Sequence, residues 1–248
     1  MPKIATFRFY EELNDFLPIK KRKVAFEHSF TGKPTVKDLI EALGVPHAEV
    51  DLILVNGDSV TFSYILKDKD FVSVYPVFES VDISVITRLR EKPLREPAFI
   101  LDVHLGRLAR YLRMLGFDAS YRNDYDDNEI IAASLKEHRI ILTRDIGLLK
   151  VGAVTHGYYV RTQIPKEQVK EVIKRFDLVY SIRPFNRCIN CNQALEKVTR
   201  DEVTDQLQPL TILYFNKFFR CTGCGKVFWE GSHFERMKTF IADLIKPN

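Results

Sequence analysis

Four cysteines constrain this chain more than any other feature of its sequence. They stand as Cys188-Ile-Asn-Cys191 and Cys221-Thr-Gly-Cys224, with 29 residues between the pairs. In a reducing compartment, two such pairs read as four thiolates around one tetrahedral Zn²⁺, because each pair sits on a tight turn and offers two sulfurs to one ion. The alternatives are two disulfides or a redox-active pair; reduction disfavours the first, and the second needs no twin. The spacer has room for a strand pair, with Thr211–Arg220 carrying strand character. A ribbon this small buries little apolar surface, so the metal is expected as its structural staple.

The rest of the sequence must build its own cores. Its 248 residues are 46% apolar and 28% charged, an ordinary globular composition with room for two or three units. No apolar run approaches the ~18 residues of a membrane-spanning helix. No apolar signal region follows Met-Pro-Lys-Ile, so a cytoplasmic protein without membrane contact is expected. Net charge is +4, with the basic excess falling after residue 96, which permits contact with a polyanion.

Residues 1–80 alternate like a small α+β module. Lys3–Tyr10 and Lys23–Phe30 have strand character, the second preceded by the basic run Lys20-Lys21-Arg22-Lys23. Thr35 to Gly44 reads as a helix capped by Thr35 and stopped by Gly44, with Val36, Leu39, Ile40 and Leu43 on one face. Leu52–Val55, an Asn56-Gly57 turn and the strand Phe71–Pro76 follow. This order resembles the ubiquitin-like (β-grasp) sulfur carriers of the ThiS/MoaD type, which work through a free C-terminal glycine pair. Here the corresponding point runs on as Val77-Phe-Glu-Ser80, so a docking module, with a protein partner, is expected in place of carrier chemistry. Residues 81–97, with Arg88, Arg90, Lys92 and Arg95, read as a linker.

The chemistry is expected in residues 98–184. Pro97–Leu101 is a short buried-type strand that delivers Asp102 at its C-terminal end. His104–Leu115 reads as a helix with Leu105, Leu108, Leu112 and Leu115 on its apolar face, Arg107, Arg110 and Arg113 at threefold spacing elsewhere, and Gly116 as its stop. A strand near Ala119–Tyr121 precedes the acidic turn Asp124–Glu129, whose acids suit the start of a helix running to Glu137. Arg139–Thr143 is a further strand, ending in Arg144-Asp145; Val151–Val160 is expected as another and Pro165–Phe176 as a helix. Strands alternating with helices imply a parallel sheet, whose C-terminal strand ends form one working edge.

Asp102 and Asp145 would both lie on that edge, with Asp126 or Asp127 from a helix start nearby. Converging carboxylates repel unless a cation joins them, and hard oxygen ligands select Mg²⁺ or Mn²⁺. Such a site beside arginines suits phosphodiester hydrolysis. Taken singly, each of these acids also reads as a turn or cap residue, and the arginines as a solvated face.

Phe99-Ile-Leu-Asp102 through Gly116-Phe-Asp118, followed by Ile141-Leu-Thr143-Arg144-Asp145, resembles the PIN-like RNase family named for the C-terminal domain of Mut-seven exonuclease. The cysteine pairs and the segment Val227 to Met237 are similar to the tail of that family, and a ubiquitin-like module ahead of it is a known partner domain. The resemblance implies a PIN-type α/β fold and a metal-dependent ribonuclease with Asp102, Asp127 and Asp145 in the metal-acid roles, Asp126 and Glu129 being close substitutes for Asp127. More familiar PIN domains carry a further acid on a central helix, where residues 104–116 supply arginines. One metal, or help from Asp124, follows from that departure.

Three readings compete. The first is a ribonuclease with Arg107, Arg110, Arg113 and Arg144 as candidate phosphate contacts. The second is a non-catalytic RNA-binding or ribosome-associated module, using the arginines and the zinc ribbon (residues 185–248). In that ribbon Phe218, Phe219, Phe228 and Trp229 either pack around the metal or stack on unpaired bases, and His233 is a cap or a functional group. The third is a sulfur-transfer accessory.

Overall fold

The structure, a computed structural model, describes residues 2–76 and 97–245; Val77–Ser80 and the linker arginines lie outside the described residues. Two compact units emerge, Met1–Glu96 with Asp127–Tyr159 and Pro97–Asp126 with Val160–Asn248.

In the first unit, β1 (Lys3–Phe9), β2 (Phe26–Phe30), α1 (Val36–Ala42), β3 (Val50–Val55), β4 (Asp58–Ser59) and β5 (Phe71–Pro76) form the N-terminal module. The sheet order is β2-β1-β5-β3-β4. β1 and β5 are parallel and the other pairs antiparallel, the mixed order of a β-grasp fold. Period-two alternation turns Ala5, Phe7 and Phe9 inward, where they join Ile40, Ile53, Val72 and Val74 in one core. Thr35 and Asp38 cap α1 reciprocally: the Asp38 N–H donates to Thr35 Oγ1 at 3.2 Å and the Thr35 N–H to Asp38 Oδ2 at 2.8 Å. Asn56 and Gly57 both take positive φ (52° and 93°), as a two-residue hairpin requires.

The same unit contains α3 (Asp127–Glu137), β8 (Ile140–Thr143), α4 (Ile146–Leu149) and β9 (Gly157–Tyr159); β8 and β9 are parallel. The β-grasp module is fastened to this segment by polar contacts. His47 Nε2 donates to the Val154 carbonyl at 2.9 Å, Lys150 Nζ donates to the Glu41 carbonyl at 2.8 Å, and the Tyr159 N–H donates to Glu49 Oε1 at 2.5 Å. Glu49 is wholly buried. The Phe16 ring meets Tyr159 edge-on at 5.7 Å. The predicted strand over 151–160 is confined to β9. Val151 and Val154 instead close successive turns through Leu148 and Val151 carbonyls.

In the second unit, β6 (Phe99–Leu101) pairs in parallel with β7 (Ala119–Ser120), the two joined by α2 (Gly106–Met114). Leu105, Leu108, Leu112 and Leu115 are buried, as the helical pattern predicts, and Phe99 packs edge-on against Phe117 and Phe176. Gly116 has φ +96° and lies against the Arg183 backbone, leaving no space for a Cβ. α5 (Pro165–Arg175) starts with Pro165 in its first turn. Beyond it come β10 (Leu195–Val198), α6 (Pro209–Tyr214), β11 (Phe218–Cys221), β12 (Val227–Trp229) and α7 (Ser232–Ile245). The order β10-β11-β12 is antiparallel throughout. The spacer between the cysteine pairs departs from the predicted strand over Thr211–Arg220. Its first half is helical because Pro209 sets the first turn and the Thr211 and Ile212 N–H groups both turn back to the Gln208 carbonyl.

Candidate active site and metal centre

The two cysteine turns are built alike. The first cysteine of each donates its N–H five residues ahead, Cys188 to the Gln193 carbonyl at 2.7 Å and Cys221 to the Lys226 carbonyl at 3.0 Å. Its carbonyl accepts from the residue just after the second cysteine, Asn192 at 2.9 Å and Gly225 at 3.1 Å. Those two residues have φ of 74° and 70°. Asparagine and glycine are the residues that adopt this conformation at least cost. Their positions after Cys191 and Cys224 are a signal in the sequence that spacing alone does not use.

The result is that all four sulfurs lie within 4.8 Å of one another. Cys188 and Cys224 are 3.8 Å apart, close to the ~3.8 Å expected between ligands 2.3 Å from a tetrahedral centre, and Cys191 and Cys221 are 3.2 Å apart, too long for a disulfide. The Gly223 and Cys224 N–H groups both point at Cys221 Sγ at 3.4 Å, as suits a thiolate. Burial pushes the Cys188 thiol up to about 12; a coordinated dication overrides that by holding the thiolate. The donor set therefore fits one metal ion. Among the described residues this is the one group of three or more His, Cys, Asp or Glu ligand atoms so closely gathered.

This centre is anchored to α2 and β7. Arg113 is almost wholly buried; its Nε donates to the Ala119 carbonyl at 2.8 Å and its Nη1 to the Asn190 carbonyl, inside the first cysteine turn, at 2.6 Å. Desolvation, the largest influence, lowers its pKa, while Cys191, Cys188 and Asp118 pull the other way. Asn192 Nδ2 donates to Asp118 Oδ1 at 2.8 Å, and Arg187 pairs with Asp118 Oδ2 at 3.4 Å. Arg113, one of the three regularly spaced arginines, thus binds main-chain carbonyls, and Asp118 is a strut. Neither role shows in the sequence, because Asn190 lies 77 residues beyond Arg113 and Asn192 lies 74 beyond Asp118. An Arg113→Lys protein keeps the charge but loses the planar fork, and should be destabilised by about 2–3 kcal/mol. Faster metal release to a chelator, alongside a lowered Tm, would check this.

The predicted acids have distinct settings. Asp102 ends β6 and is 7% exposed; its backbone opens a single 3₁₀ turn, to which its side chain gives no cap. Asp145, two residues past β8, is exposed, and its Oδ1 accepts from the Gly147 N–H at 2.6 Å, capping α4. Asp126, Asp127 and Glu129 are exposed around the start of α3. Asp124 is held by the Arg122 guanidinium through two 3.0 Å contacts, which keeps its carboxyl below the usual range. Asp102 and Asp126 belong to the second unit, Asp127, Glu129 and Asp145 to the first. Arg107 and Arg110 are exposed on α2, and the Arg144 guanidinium lies 5.8 Å over the Tyr159 ring. Phe218 is fully buried with Val198, Val203 and Val227, so it packs the ribbon, while Trp229 is partly exposed.

The class so defined is a β-grasp module joined to an α/β domain of parallel strands and a four-cysteine, metal-competent ribbon. The family described as Mut7-C RNAse domain matches residues 97–241, and that described as Mut7-C ubiquitin matches residues 2–82. The chain belongs to the Mut7-C RNase family, a nuclease family, with its ubiquitin-like domain in front. A human relative, the exonuclease mut-7 homolog, is 27% identical over 233 residues, covering 62% of this chain and 26% of its own length. The chain thus spans about a quarter of that relative. The crystal structure of SAMP1 from Haloferax volcanii, 15% identical, covers 32% of this chain and 99% of its own at a TM-score of 0.25; the strand order, and not this likeness, carries the β-grasp assignment. No helix of the described residues is long and apolar enough to cross a membrane.

Proposed function

We propose that this chain is a divalent-metal-dependent ribonuclease that hydrolyses phosphodiester bonds in RNA. The observation that carries the reading is the nearly buried Asp102 at the C-terminal end of β6, inside the segment matched by the RNase family. Asp102, Asp127 and Asp145 are the proposed carboxylate ligands, with Asp126 or Glu129 as substitutes at the helix start. Mg²⁺ or Mn²⁺ would supply the attraction that offsets repulsion between these acids, an activated water and stabilisation of the leaving oxygen. Arg107, Arg110 and Arg144 would hold phosphates.

The division that goes with it is a ubiquitin-like domain at 1–80, a linker at 81–97, the RNase domain at 98–184 and a zinc ribbon with its terminal helix at 185–248. Zn²⁺ is the ion proposed for Cys188, Cys191, Cys221 and Cys224. Four free thiols suit a reducing compartment such as the cytoplasm. The ubiquitin-like domain is the proposed site for a protein partner.

Single-stranded RNA incubated with the full chain should be cut in Mn²⁺ or Mg²⁺ and left intact without them; binding with no cleavage in either ion would replace this reading with an RNA-binding role. Binding should also weaken steeply with salt. Each phosphate contact on a single strand adds about 0.7 to the slope of log K against log salt, so Arg107→Gln with Arg110→Gln should flatten it by roughly 1.4.

A further inference from the structure

Within the second unit, a cavity of about 520 Å³ lies between α2 and the start of α5. That is the size of a site for a small organic ligand. Arg107 and Arg110, one helical turn apart, line it together with His104, and among the described residues no carboxylate lies in its wall. No ion pair joins either arginine to an acid among the described residues. Two amides, Asn123 and Gln163, both exposed, line it as well.

One aromatic ring is fixed in this cavity. Tyr121 donates its hydroxyl to the Val103 carbonyl at 2.9 Å, and its ring lies so close to Gly106 that a Cβ there would sit 2.6 Å from Oη and 2.7 Å from Cζ. Gly106 has an ordinary helical φ of −59°, so the crowding at this position comes from the tyrosine and not from the backbone. Gln168, nearly buried, fastens the entrance to α5 by donating Nε2 to the Thr162 carbonyl at 3.0 Å. The cavity thus gathers two guanidiniums, two amides and a tyrosine ring held by its hydroxyl.

We propose that this cavity binds one unpaired nucleotide at a phosphorylated end of a single-stranded RNA, with the terminal phosphate on Arg107 and Arg110 and the base beside Tyr121, read by Asn123 and Gln163. The proposal deepens the ribonuclease reading and rests on it for the identity of the polymer. A terminal phosphomonoester carries about −1.5 to −2 charges near pH 7, whereas an internal diester carries one. Two guanidiniums that no described acid pairs with match the former, each being able to bind a phosphate through two N–H groups. An aromatic face and amide side chains are what unpaired bases meet in single-strand recognition. Tyr121 is tied to the carbonyl of Val103, the residue after Asp102.

Calorimetric titration of the full chain, without added Mg²⁺ or Mn²⁺, separates this inference from the cleavage chemistry. Adenosine 5′-monophosphate should bind roughly ten- to a hundredfold more tightly than adenosine, and Arg107→Gln with Arg110→Gln should erase that difference. Gln163→Ala, on an exposed side chain, should weaken the monophosphate several-fold and leave inorganic phosphate unaffected. An RNA oligonucleotide with a terminal phosphate should likewise outcompete the same oligonucleotide ending in hydroxyls. Equal binding of nucleoside and nucleotide, or binding indifferent to the two arginines, would overturn the proposal even if RNA is cut. Retained monophosphate binding in a protein that cuts no RNA would leave the cavity's assignment standing and remove the ribonuclease reading alone.

Discussion

Asp102→Asn is expected to abolish metal-dependent RNA cleavage while the protein stays folded. The substitution keeps the size and one acceptor oxygen of the side chain and removes its charge. A neutral amide in place of a ligand carboxylate should lower kcat by roughly 10³-fold, equivalent to about 4 kcal/mol of lost transition-state stabilisation. The amide keeps the shape of this nearly buried side chain; a Tm within about 3 °C of the parent is expected. Asp145→Asn makes a companion test. Its Oδ1 caps α4 through the Gly147 N–H, a task asparagine performs as well as aspartate, so this variant too isolates charge from structure. Cleavage assays in Mn²⁺ with both variants, read beside their melting curves, decide the matter. Full activity in Asp102→Asn would remove the residue from the proposed centre, whereas loss of activity with loss of fold would be exposed by the melt and by the folded Asp145→Asn.

What the sequence makes legible follows the range of the forces involved. The capped helix at Thr35, the Asn56-Gly57 hairpin and the buried leucines of α2 are set by residues a few positions apart, and all are where local rules place them. The cysteine spacing likewise contains its own geometry. Arg113 is opaque for the opposite reason: a regularly spaced arginine on a helix looks solvated until residue 190 is known to lie beside it. Pro209 is local, yet the apolar Ile212 to Phe215 run outweighs it in a sequence reading, and the helix of α6 follows from the proline. Tyr121 and Gly106 are invisible as a pair, since neither carries a distinctive pattern and their contact depends on β7 returning to the start of α2. The candidate acids are legible as individual strand-end and helix-start residues. Their shared role is a proposal, because it depends on a cation and on long-range assembly.

Removal of metal from the cysteine centre should release the ribbon and leave the β-grasp module folded. The ribbon's core consists of four buried residues, Val198, Val203, Phe218 and Val227, with Leu207 and Phe215 partly buried against them. So small a core cannot by itself hold three short strands in place. The β-grasp core, by contrast, gathers sixteen buried residues without any metal-ligating group among them. Apparent binding energies of roughly 10–16 kcal/mol for structural zinc in small fingers show how much folding energy such a site can carry. A strong chelator, or Cys221→Ser, should therefore open residues 187–229 to protease and to hydrogen exchange while β1 and β5 stay protected. The effect should pass through Arg113 and Asp118 into α2 and β7, because both are bonded to the first cysteine turn. Exchange at the Ala119 N–H, which donates to Asn192 Oδ1 at 3.1 Å, reports that transmission directly. Protection of Ala119 unchanged after chelation would show that the nuclease-family domain holds its own shape, and that the metal serves the ribbon alone.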